Sequence, residues 1–143
     1  MEKPTEDLVT ALESEVLGEA FFRSAYYAAL FCDLRNKVKT LWQLEVQTKK
    51  RIIEYFQANN IEIPKVRIIA LKGFIFGVYC LMIPWHVLVK KIIEETEYYL
   101  EVFRRLEKEA SEQDKELFKY IVAHEVAISL RHDFVTRNLP KWN

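Results

Sequence analysis

Leu8, Leu12, Val16, Glu19, Phe22, Tyr26 and Leu30 follow one another at steps of three and four residues, the spacing of one face of an α-helix. Thr5, ahead of Glu6 and Asp7, reads as the N-cap of that helix, with acids in the first turn where they complement its dipole. After a break near Asp33 to Asn36, a second helix carries Val38, Leu41, Trp42, Glu45, Thr48, Ile52 and Phe56 on one face and ends around Asn59 and Asn60. A third runs from Pro84 or Trp85 to Glu109. Ser111 with Asp114 gives a capping-box-like start to a fourth, on which Phe118, Ile121, Val122, Glu125, Ile128 and His132 share a face and which stops before Pro140. The pattern predicts an all-α chain, an antiparallel four-helix bundle forming a single domain over residues 1–143.

One segment breaks the amphipathic rule. Between Gly73 and Val89 there is no Asp, Glu, Lys or Arg, and most positions are large and apolar. A membrane-spanning helix needs about 20 continuous apolar residues, and Lys72, Gly77, Pro84 and His86 interrupt this stretch. Two expectations remain open. The segment is a long buried crossover between two helical hairpins, or part of it lies in a membrane interface with Trp85 at headgroup level and Lys90 and Lys91 near the surface. Phe74, Phe76, Tyr79 and Trp85 are then the candidate substrate or membrane contacts.

Composition narrows the function classes. With 143 residues, half of them hydrophobic, the chain has the size of one domain with one core. Its 21 basic and 21 acidic residues cancel, and no basic stripe is interleaved with aromatics, so nucleic acid is not expected as a partner. Cys32 and Cys80 lack CxxC or zinc spacing and read as reduced thiols. The polar, acidic start reads as neither signal nor transit peptide, so the expected location is the cytoplasm, with peripheral attachment at the inner face of a membrane as an option.

The glutamates are the candidate chemistry. Glu19, Glu45 and Glu125 each stand on an otherwise apolar face, and an ionised carboxylate costs several kcal/mol to bury unless it is paired or binds a metal. Glu19 and Glu45 lie 26 residues apart and Glu97 and Glu125 lie 28 apart, as a duplicated two-helix unit would place them. A dinuclear metal site built from one Glu per helix plus two Glu-x-x-His arms is one reading. The other is helix-surface pairing of Glu19 with Arg23 and of Glu45 with Lys49, each four residues on.

The chain resembles the demethoxyubiquinone hydroxylases, ferritin-like di-iron monooxygenases of ubiquinone biosynthesis. Gly18-Glu19 followed by Tyr26 is similar to the family's first-helix signature, and Trp42-Gln43-Leu44-Glu45 to its Trp-x-x-Glu. Pro64 followed by Gly73-Phe74-Ile75-Phe76-Gly77 resembles its hydrophobic crossover, and Tyr98-Tyr99 a stretch of its third helix. The resemblance covers roughly residues 15 to 135. It implies two iron ions held by Glu19, Glu45, Glu125 and Glu97. The departures are specific: Thr48 and Ile128 stand where the family's metal-binding histidines would be, and Thr96 falls at the third-helix ligand position beside Glu97. His132 shares Glu125's face two turns away, His124 points off that face and His86 lies in the crossover, so none replaces the missing imidazoles.

The function expected from this reading is a degenerate family member that binds a quinone, a lipid or a partner protein, including a second copy of itself, without standard di-iron catalysis. An active O2-dependent quinone-ring hydroxylase with a carboxylate-rich site is the enzymatic alternative, and a ferritin-like iron-binding protein is a third.

Overall fold

The computed structural model describes residues 3–29 and 32–137. Among the described residues there are five α-helices and no strand, and the chain falls into two compact units, Met1–Met82 and Ile83–Asn143. The all-α class read from periodicity holds. Among the described residues, no helix is long and apolar enough to cross a membrane.

The first unit contains α1 (Lys3–Ala28), α2 (Cys32–Ala58), α3 (Arg67–Tyr79) and a 3-10 turn over Cys80–Met82. Helix α1 opens ahead of the expected Thr5 cap. Pro4 sits in its first turn, where a missing N–H leaves no bond unmade. The break before α2 is also shorter than expected, and Asp33 to Asn36 are helical. Asp and Asn serve the opening turn of a helix as readily as a loop, so their presence did not distinguish the two.

The end of α2 follows its sequence closely. Asn60 takes a left-handed φ of 54°, which Asn tolerates better than most side chains. The amide of Asn60 donates to the Gln57 carbonyl at 3.2 Å and that of Ile61 to the Phe56 carbonyl at 2.9 Å, a Schellman pair that satisfies the last turn. On α1 the buried stripe is Leu8, Ala11, Leu12, Val16, Ala20 and Phe22; on α2 it is Val38, Leu41, Ile52 and Phe56. The expected faces of both helices are therefore the buried ones.

Helix α3 packs on α1, and it does so through glycine. Only Gly73 and Gly77 of this helix are buried. A Cβ at Gly73 would press on the Leu17 carbonyl and the Ala20 methyl, and one at Gly77 on the Phe21 carbonyl and the Ser24 hydroxyl. The two helix backbones are thus close enough that no larger residue fits between them. The large side chains point the other way: Ile68, Leu71, Phe74, Ile75, Phe76, Val78, Tyr79 and Met82 are all exposed. The expectation of a buried crossover fails for these residues, because seating the helix by its glycine side turns its bulky side outward.

The second unit contains α4 (Trp85–Glu109) and α5 (Lys115–Arg137), matching the expected third and fourth helices. The Ser111 hydroxyl donates to the Asp114 carboxylate at 2.7 Å, and the amides of Asp114 and Lys115 both reach the Ser111 carbonyl at 3.0 Å. That turn opens α5 as the sequence suggested. Thr96, Val102, Phe103 and Leu106 of α4 are buried, as are Phe118, Ile121, His124, Glu125 and Ile128 of α5.

Candidate functional site

The antiparallel pairing of α1 and α2 brings acidic residues of both helices together, in a register one turn from the expected one. Glu15 of α1 is 0% exposed and Glu45 of α2 5% exposed, and a carboxylate oxygen of each lies within 4.8 Å of one of the other. Gly18 makes room for this pair. A Cβ at Gly18 would stand 2.6 Å from the Glu45 carboxyl carbon, so the missing side chain forms the notch in which that carboxylate lies.

Glu19, the expected α1 ligand, is engaged elsewhere. Its carboxylate accepts a charge-assisted hydrogen bond from the Lys49 ammonium of α2. The cation expected to reach back along its own helix instead crosses to the neighbouring one, while Arg23 is exposed. Thr48, three residues after Glu45, is fully buried and its hydroxyl donates to the Leu44 carbonyl at 3.1 Å. The side chain at the expected histidine position therefore closes on its own helix.

Carboxylate oxygens at this spacing can be ligands to one cation. Glu15 and Glu45 can thus contribute to holding a metal ion. Glu15 was legible in principle: it stands three residues after Leu12 and four after Ala11, on the same stripe as Glu19, so the stripe carries two carboxylates and only one was singled out.

In the second unit, Glu97 is exposed and Thr96 buried, so the residue facing inward at that level of α4 is the threonine. On α5, Glu125 and Ile128 are both buried. His124 is buried as well, contrary to its expected position off the inward face. It lies three residues after Ile121 and four before Ile128, spacing that places it on one stripe with them. Imidazole and carboxylate donors are therefore adjacent in sequence at His124-Glu125. The side chains of Cys32, Trp85, His86 and His132 lie outside the described residues.

An aromatic group occupies another part of the α1–α2 hairpin. Trp42 packs with its ring tilted, centroids 5.6 Å from Tyr26 and 6.0 Å from Tyr27, and the Arg35 guanidinium sits 4.8 Å over the Tyr26 ring. Tyr26 and Trp42 are thus in contact across the two helices. Cys80, beside the glycine seam, donates its thiol to the Gly77 carbonyl at 2.9 Å, and burial pushes its pKa up to about 11. Of the residues expected to meet substrate or membrane, Phe74, Phe76 and Tyr79 are on the outer side of α3. No family model, curated protein or solved structure matches this chain.

Proposed function

We propose that this chain is a degenerate, ferritin-like relative of the demethoxyubiquinone hydroxylases, whose role is to bind a quinone or lipid through α3. The observation that carries the reading is the inverted seating of that helix. It spends its glycines on α1 and leaves a continuous set of large apolar side chains in solvent. A protein surface of this kind marks a site for an apolar ligand or surface.

The acids support a binding role more than di-iron chemistry. Glu19 is neutralised by Lys49, Thr48 closes on Leu44, Glu97 is exposed and Ile128 offers no donor atom. The two Glu-x-x-His arms of a di-iron centre are therefore not assembled from these residues. What fits Glu15 and Glu45 is a single cation held in part by their two carboxylates.

Two titrations test the reading. Short-chain ubiquinone, followed by quenching of tryptophan fluorescence, is expected to saturate on the wild-type chain and to bind at least tenfold more weakly to Leu71→Ser/Ile75→Ser. Equal affinity of the two would move the ligand site off α3. Anaerobic ferrous titration of protein purified without chelator is expected to stop short of two ions per chain. Two bound irons with an oxo-type absorption after O2 would establish the hydroxylase in its place.

A further inference from the structure

We infer that the end of the first hairpin, where α1 runs into α2, binds an oxyanion, carboxylate or phosphate, on the Nε–H of Arg35 and the Nε1–H of Trp42. The site uses neither α3 nor the buried carboxylates, so it stands or falls separately from the reading above.

Three observations converge on it. First, Arg35 Nε and Trp42 Nε1 are both buried, and neither has a hydrogen-bond partner among the described residues. Buried N–H groups are seldom left without an acceptor. Guanidinium and indole only donate, so what completes them must bring oxygen lone pairs, and the permanent charge of Arg35 favours an anion that does. Second, one ring gathers both donors. The Arg35 guanidinium lies 4.8 Å over Tyr26, and the Trp42 ring is 5.6 Å from the same ring. Two turns apart on α2, the two side chains share one face. Both residues are half-buried, and Tyr27, packed 6.0 Å from Trp42, is 70% exposed, so the group borders solvent. Third, from Arg23 to Trp42 the chain carries Arg23, Arg35, Lys37 and Lys39 against the single acid Asp33, whereas the charges of the whole chain cancel. Lys39 falls on the stripe of Arg35 and Trp42, and Arg23 on that of Tyr27, and both are exposed. Glu19, the next acid along α1, is already paired with Lys49.

Charge and donor chemistry together select the ligand. A cation is repelled here, and a neutral apolar molecule leaves both donors unmet. The face of Tyr26 is a weak acceptor for a guanidinium or indole N–H, and an ionised oxygen is a stronger one. Bound here, the oxyanion takes a charge-assisted hydrogen bond from Arg35 and a second from Trp42, while Arg23 and Lys39 add attraction at longer range.

Proton–nitrogen NMR of the full chain tests this at constant ionic strength, with benzoate, inorganic phosphate and chloride as probes. The indole and guanidinium Nε signals are assigned by their loss in Trp42→Phe and Arg35→Lys, which keep an aromatic ring and a positive charge. Benzoate or phosphate is expected to shift both signals together and saturably, and chloride to shift neither. A response to benzoate alone supports a carboxylate ligand, and one to phosphate alone a phosphate. Arg35→Lys and Trp42→Phe are each expected to weaken binding about tenfold, as loss of one hydrogen bond to a charged partner does. Unchanged far-ultraviolet circular dichroism confirms that both variants are folded. Lys39→Gln touches no packed group and is expected to weaken binding roughly twofold, an effect that salt removes. Signals that stay in place with both oxyanions in wild type, or that move equally with chloride, overturn the inference. A shift confined to one of the two donors, or an Arg35→Lys variant that binds like wild type, overturns it as well.

Discussion

Replacing Gly77 by alanine sets two effects against each other, and the structure decides which wins. In an exposed helix, Gly→Ala is stabilising by about 1 kcal/mol, because glycine loses more backbone freedom on folding. At Gly77 the added methyl would meet the Phe21 carbonyl and the Ser24 hydroxyl. The hydroxyl can rotate away, although it now donates to that same carbonyl at 3.0 Å, but the carbonyl is part of the α1 backbone and cannot. Helix α3 must therefore lift from α1, and Gly73, held so close to the Leu17 carbonyl that it too has no room for a Cβ, offers no slack one turn away. Overpacking of this kind costs about 1–3 kcal/mol beyond the propensity gain. A net loss of about 2 kcal/mol corresponds to a fall of roughly 6 °C in Tm for a chain of this size. Thermal unfolding by circular dichroism measures it, with Gly77→Ser as a bulkier comparison expected to fall further. A Tm that rises on Gly77→Ala would falsify the close α1–α3 seam.

Gly18→Ala separates stability from binding. Its methyl would meet only the movable end of Glu45, so Tm should change by less than about 1 kcal/mol equivalent while Mn2+ affinity by calorimetry falls about tenfold; an unchanged affinity would detach Glu45 from any cation. A double-mutant cycle of Lys49→Met and Glu19→Gln should give a coupling of about 1 kcal/mol by urea unfolding, since the pair is mostly shielded from solvent; zero coupling would make the ion pair incidental. Asn60→Val should cost about 1–2 kcal/mol and Asn60→Gly nearly nothing, because only the former resists the left-handed φ. The Cys80 thiol, pushed up to about 11 from 9.0, stays protonated in the fold where the unfolded chain has already lost its proton. Stability should therefore decline as pH rises from about 9 to 11, Cys80→Ala should lack that part of the decline, and Ellman's reagent at pH 8 should react only after unfolding.

Helix faces were the legible part of this chain. The α2 stripe from Val38 to Phe56 is buried as its spacing indicates, and the α4 and α5 boundaries fall where Pro84 and the Ser111–Asp114 turn put them. Periodicity fails one level down, at register. Glu15 and Glu19 share a stripe, and which one meets Glu45 depends on how far α2 slides along α1, a distance that no single helix encodes. Gly18 carried that information, since its missing side chain is where Glu45 fits, yet a glycine within a helix signals a close approach without saying by what. The crossover shows the same limit. A run with no charge does not say which side of its helix packs on protein, and it is the buried Gly73 and Gly77 that turn Phe74 to Tyr79 away from α1. His124 was misplaced for a simpler reason: a buried stripe is wide enough to take two adjacent residues.

The glycine seam also orders assembly. Helices α1 and α2 are neighbours in sequence and can close a hairpin early, whereas the seam joins Leu17–Ser24 to Gly73–Gly77 and must wait for a loop of about fifty residues to close. Thirteen residues are marginal for a helix on its own, so α3 gains most of its helicity on docking. Its amides should therefore exchange with solvent through an opening that leaves the α1–α2 hairpin intact, well before global unfolding. An apolar helix that docks after the α1–α2 hairpin and opens before it is expected to be the part of the first unit most accessible to whatever it meets.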